Sequence, residues 1–238
     1  MDGPAELAKS AAARAAIASI SVERRIALGS GSTAERMVRA FAERFPGAEG
    51  FHLVASSHAT EDLGRELGLA VRSLRADDRF DVMLDGADEV SAELDLTKGG
   101  GGALFREKFL ARLSDRLVIM VDTGKLVARL GSIHAIPVEV VPFAQAVLVR
   151  SFEHEGFSVE VRRTDDGRPF VTDNGNEILD LRPPAPLEDP AATDQGLRAH
   201  AGVVETGIFP AMADLVLVGS PDGRVEERHR SPTGAHRR

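Results

Sequence analysis

Short apolar runs alternate with longer stretches of helical spacing along the first half of this chain. An Ala-rich stretch at 5–19 predicts a helix, because alanine has the best intrinsic helix propensity. The apolar run at 25–28 ends in Gly29-Ser30-Gly31-Ser32-Thr33, and Met37, Val38, Phe41 and Phe45 follow at helical spacing. That is a strand, a glycine turn and a helix. The same alternation predicts strands at 51–55, 80–84 and 117–121, with helical segments at 61–67 and from near Ala103. Strands alternating with helices predict an α/β fold: a Rossmann-like open parallel sheet with helices on both faces.

The pattern changes after Gly131. A strand is predicted at 136–141, and Pro142 suits the first turn of a helix that runs to about Glu155. Residues 157–163 alternate, Asp165-Asp166-Gly167 turns, and 170–172 continues the strand pattern. Asn174-Gly175 is a second turn, leading into a strand at 178–181. A Pro-rich loop at 183–190 then precedes a helical stretch and a strand at 203–206. The order strand, helix, strands, helix, strand matches a ferredoxin-like α+β unit. The expected organisation is a first domain of 1–131 plus 208–227, a smaller α+β domain at 132–207, and a polar, disordered tail at 228–238. The apolar run at 215–218 is expected to return to the first sheet.

Composition narrows the function classes. With 43% hydrophobic and 28% charged residues in 238, the chain is an ordinary globular protein. A formal net charge of −8 argues against nucleic acid as a partner. There are no cysteines, so neither a disulfide framework nor a Cys-ligated metal site can form. Asp2, Glu6, Lys9 and Arg14 interrupt any signal-peptide core, and no run approaches the ~18 apolar residues of a membrane span. A cytoplasmic protein with no membrane partner is the expectation. The histidines at 52, 58, 134, 154, 200, 229 and 236 lack metal-ligand spacing, so no metal is expected. No G-x-S-x-G elbow supports a serine hydrolase.

Four segments could carry chemistry, and three of them follow the end of an apolar strand, where open parallel sheets bind ligands. Gly29-Ser30-Gly31-Ser32-Thr33-Ala34 offers close backbone approach, hydroxyls and helix N-terminal amides to a phosphate. It also fits the loose dinucleotide pattern, but the second strand ends in Ser56-Ser57 rather than the acid that a ribose hydroxyl requires. Asp85-Gly86-Ala87-Asp88-Glu89 places two carboxylates three residues apart on a strand-end turn, where Asp85 and Asp88 can face one cavity. Lys98 begins a run of four glycines, Gly99 to Gly102, directly before a helix. Such a run carries a large ordering cost and leaves backbone bare for a ligand at the anion-favouring end of a helix.

On that helix, Glu107 has Ala103, Leu104, Leu110 and Ala111 at the i±3 and i±4 positions, and no cation among them. A carboxylate on such a face points into a cavity or is desolvated, which raises its pKa towards the range of a general base. The fourth segment, Asp122-Thr123-Gly124-Lys125, offers a lysine to phosphate or a sugar oxygen; it is no Walker motif, because Ile119 stands where the first glycine belongs.

In this order, the strings GSGSTA, DGADE, KGGGGALFREK and DTGKL resemble the type A ribose-5-phosphate isomerase family. Ser56-Ser57 with Thr60, IPVEVVPFA, VTDNGN, GVVETGIF and LVGSPDG extend the resemblance over about residues 5–225. The resemblance implies interconversion of ribose 5-phosphate and ribulose 5-phosphate through an enediolate, without metal or organic cofactor. It implies Glu107 as catalytic base, with Asp85, Asp88 and Lys98 in the catalytic set. It also implies substrate contacts from Ser30, Gly31, Ser32, Thr33, Asp85, Gly86, Ala87, Asp88, Lys98, Gly99, Gly100, Gly101 and Lys125. A homodimer or dimer of dimers is implied as well. The family often has threonine where Ser30 stands, and a lysine pair in the first helix where this chain has only Lys9 after Ala8. An amino-sugar-phosphate deaminase, a coenzyme A transferase or a non-catalytic sugar-phosphate sensor fits the four strings less well.

Overall fold

The computed structural model describes residues 3–230. Its largest sheet holds β1 (Arg25–Leu28), β2 (His52–Ala55), β3 (Val82–Asp85), β6 (Leu117–Asp122), β12 (Leu215–Gly219) and β13 (Val225–His229), in the order β13-β12-β6-β3-β1-β2. All neighbours run parallel except β13, which returns antiparallel on β12. The tail expected from 228 is contradicted at its first two residues, which belong to β13. Arg228 and His229 are ladder residues opposite Val216 and Leu215, and 231–238 lie outside the described residues.

Both faces of this sheet are covered, which is why its strands read as unbroken apolar runs. On one face α1 (Pro4–Ala18) and α2 (Gly31–Arg44) pack onto Ile26, Leu28, Leu84, Val118 and Met120, with α3 (His58–Glu66) joining at the β2 edge. On the other, Leu110 and Ala111 of α4 (Leu104–Arg112) pack with Ala27, Met83, Ile119 and Val121. Alternate residues of one strand thus serve two cores, as the two-residue strand period requires.

The second sheet contains β7 (Ile136–Val140), β8 (Ser158–Val161), β9 (Glu177–Arg182) and β10 (Val203–Thr206) in the order β10-β7-β9-β8, all antiparallel. With α5 (Gln145–His154) and α6 (Pro190–Arg198) between the strands, this is the ferredoxin-like arrangement expected from the element order. Pro142 begins a separate 3-10 turn, Pro142–Ala144, and α5 starts after it.

A third, small sheet escapes sequence reading. It pairs β4 (Glu89–Val90), β5 (Leu96–Thr97) and β11 (Ile208–Phe209), strands too short to show any periodicity. It fixes the backbone on either side of the two chemically interesting segments: β4 follows Asp88 and β5 precedes Lys98.

Candidate active site

The glycine turn after β1 folds over the end of β3. The Gly29 amide donates to the Leu84 carbonyl at 2.9 Å. A Cβ on Gly29 would sit 2.0 Å from Asp85 Oδ1, so only glycine allows this contact. Ser56 and Ser57 belong to the scaffold. Ser57 caps α3 by accepting from the Thr60 amide at 3.1 Å, and the Thr60 hydroxyl donates to the Gly29 carbonyl at 2.9 Å.

Asp85 is fully buried beneath the turn, where Oδ1 accepts from the amides of Gly86 at 2.7 Å and Ser30 at 3.2 Å. Lys98 is 3% exposed, and its ammonium lies 2.9 Å from Asp85 Oδ2 and 3.1 Å from Glu107 Oε2. Its aligned hydrogen bond goes to the Gly86 carbonyl at 2.8 Å. The two carboxylate oxygens are thus held by charge rather than by a directed hydrogen bond. Glu107, 3% exposed, receives the Ser30 hydroxyl on Oε1 at 2.5 Å. The cation missing from the helical neighbours of Glu107 is supplied by Lys98, across the glycine loop.

Helix α4 is anchored next door. The Lys108 ammonium is buried between Asp194 at 3.1 Å and Glu205 at 2.9 Å, fixing α4 against the second sheet.

The carboxylate pair divides its labour. Asp88 lines the open cleft and accepts the Gly100 amide on Oδ2 at 2.8 Å, whereas Asp85 is buried behind the lining. Glu89 turns away, collecting the amides of Gly131, Ile133 and His134 at 2.6–2.8 Å. From the glycine turn, Ser30, Gly31, Ser32 and Thr33 line the cleft. Gly86, Ala87, Lys98 and Gly99 to Gly101 line it too, as do Glu107 and Lys125.

The structure adds Lys9, whose ammonium reaches Ser32 Oγ at 3.1 Å and Glu6 at 2.8 Å. The sequence marks it only as the single lysine left where the family often has a pair in the first helix. Lys125 has no acidic partner among the described residues. Ser30 occupies the N-cap position of α2 without capping it, because its hydroxyl serves Glu107. The first-turn amides of α2 and two lysines therefore surround one end of the cleft, a setting suited to an anion.

Burial, and after it the charge of Glu107, pushes the Asp85 carboxyl up to about 7, although Lys98 pulls it down. Burial would lower the Lys98 pKa, but Asp85 and Glu107 outweigh it and hold the ammonium above the usual lysine range. Asp85 binds its proton more tightly folded than unfolded. Its cost to stability is therefore absent below the ordinary value of 3.8, grows as pH rises to about 7, and is constant above. Relative to Asp85→Asn, the protein should lose thermal midpoint across that window. A difference independent of pH would contradict the assignment.

Residues 52–223 match the family described as ribose 5-phosphate isomerase A (phosphoriboisomerase A). The chain belongs to that family. A ribose-5-phosphate isomerase A from Thermomicrobium roseum is 46% identical over 95% of this chain and 96% of its own length. A solved D-ribose-5-phosphate isomerase in complex with phospho-erythronic acid superposes with a TM-score of 0.90 at 33% identity, covering 97% of this chain and all of that one. The ribose 5-phosphate isomerase A of Methanocaldococcus jannaschii gives 0.86 at 34% identity, covering 93% of this chain and 97% of its own. This member of the isomerase A family is an isomerase with a mixed sheet and a second, antiparallel one. Among the described residues no helix is long and apolar enough to cross a membrane.

Proposed function

We propose that this isomerase interconverts D-ribose 5-phosphate and D-ribulose 5-phosphate, with Glu107 as the base and an enediolate as intermediate. The observation that carries this reading is the buried Lys98 between Asp85 and Glu107, at the floor of a cleft lined by glycine backbone and two further lysines. The phosphate binds at the N-terminus of α2, among Ser32, Thr33, Lys9 and Lys125. A solved relative holds phospho-erythronic acid, a phosphorylated sugar acid, which supports this ligand class.

Asp88 exchanges a hydroxyl proton with the ring oxygen to open the sugar. Glu107 then takes the proton from C2, and the electron pair forms the C1–C2 double bond while O1 becomes an oxyanion. Lys98 and the glycine amides stabilise that charge. The hydroxyl proton of O2 passes to O1, Glu107 returns its proton to C1, and C2 is left as the ketone. Asp85 shares Lys98 with Glu107 and keeps the buried charges balanced. A glutamate base beside an electrophile parallels triosephosphate isomerase in chemistry. The reaction belongs to the non-oxidative pentose phosphate branch, carried out in the cytoplasm by a homo-oligomer without metal or organic cofactor.

Purified protein given ribose 5-phosphate should form ketose, and free ribose should be a far poorer substrate. Binding without turnover would mark a sensor instead of an enzyme. Equal specificity constants for ribose and its phosphate would refute the phosphate site.

A further inference from the structure

Arg162 directly follows β8 and is gripped by Asp180 of β9: Nε donates to Oδ2 at 2.8 Å, and Nη2 pairs with Oδ1. This leaves Nη1, which donates to the carbonyls of Gly99 at 2.8 Å and Gly100 at 3.0 Å. One guanidinium of the second sheet thus holds two successive carbonyls of the glycine loop, without itself lining the catalytic cleft.

Peptide planarity turns this grip into an orientation. Across each trans peptide, the carbonyl of one residue and the amide of the next point in opposite directions. With the Gly99 and Gly100 carbonyls turned to Arg162, the amides of Gly100 and Gly101 must face the other way. The Gly100 amide is found there, on Asp88 Oδ2 at 2.8 Å. The Gly101 amide has no protein acceptor among the described residues, and Gly101 lines the cleft. A run of glycines left to itself samples many backbone states, and a flip of either plane would turn a carbonyl towards the substrate.

We propose that Arg162, held by Asp180, is a positioning residue for the isomerase reaction: it fixes the two peptide planes between Gly99 and Gly101 so that their amides face Asp88 and the substrate. The proposal rests on the reading of this cleft as the isomerase centre. A carbonyl facing a developing oxyanion would repel it, so the effect falls on the transition state more than on substrate binding.

The test is Arg162→Met, which keeps an unbranched apolar stem and removes every donor, beside Arg162→Lys, which keeps the charge opposite Asp180 but cannot make the fork. Two quantities are read: backbone hydrogen exchange in 99–102, and kcat against KM with ribose 5-phosphate. In Arg162→Met the Gly100 amide should exchange faster. Its kcat should fall by about tenfold to a hundredfold with a smaller change in KM, and Arg162→Lys should lie between it and the parent protein. Unchanged exchange in the folded variant overturns the proposal. Faster exchange with an unchanged kcat does so too. Should Arg162→Met fail to fold, Arg162→Lys is read against the parent by the same two criteria. A parent protein that does not turn over ribose 5-phosphate would sink the isomerase reading, while the exchange measurement would still decide whether Arg162 orders the loop.

Discussion

Glu107→Gln is expected to lower turnover of ribose 5-phosphate by roughly 10²–10⁴-fold, the usual cost of losing a general base. Glutamine keeps the size of the side chain and can still accept the Ser30 hydroxyl, so the geometry around Oε1 persists. What disappears is the carboxylate proposed to take the proton. The protein should remain folded, because Lys98 keeps Asp85 as its buried counter-charge. Affinity should be largely retained, since the α2 amides, Lys9 and Lys125, proposed to hold the phosphate, are untouched. Turnover number, thermal midpoint and calorimetric affinity on both proteins decide the matter. Near-normal turnover would remove Glu107 from the role and make Asp85 or Asp88 the next candidate.

Lys98→Met is expected to damage both stability and activity. It strands two buried carboxylates, and removing one partner of a buried ion pair typically costs about 3–5 kcal/mol. Turnover should collapse as well, because the charge proposed to face the oxyanion is gone. The explanation has its own control: Lys98→Met combined with Glu107→Gln removes one of the stranded charges and should recover part of the lost stability. Denaturant midpoints measure this. A single variant as stable as the parent, or a double variant less stable than the single, would show that the triad is not held as described.

The main sheet was legible because its strands are buried on both faces, so apolar runs at 25–28 and 117–121 carry the signal directly. The ferredoxin-like order was legible because Asp165-Asp166-Gly167 and Asn174-Gly175 mark its turns. The three-stranded sheet was not, since a strand such as Leu96–Thr97 is defined by its partner, Ile208–Phe209, over a hundred positions away.

For the site, residue types and glycine spacing located the cleft lining, but helical neighbours could not reveal what Glu107 touches. Its cation comes from Lys98, across four glycines, and its hydroxyl donor from Ser30 at the end of another strand. Arg162 has no signal in the sequence, and Lys9 only that of a lone lysine where the family often has a pair: an isolated basic side chain acquires meaning only from what the fold brings to it. Several strings shared with the family turn out to be scaffold. Thr172, Asn174 and Asn176 of VTDNGN donate to the buried Glu139 at 2.8–3.0 Å, away from the cleft.

The central claim is a proton moved between C1 and C2 by Glu107, and conversion of ribose 5-phosphate in D₂O tests it most directly. An enediolate exchanges its carbon-bound proton with solvent through the base, whereas a direct hydride shift does not. Over many turnovers, deuterium should appear at C1 of the ribulose 5-phosphate formed, and Glu107→Gln should abolish that labelling. Ketose that accumulates with no deuterium at C1 would contradict the account.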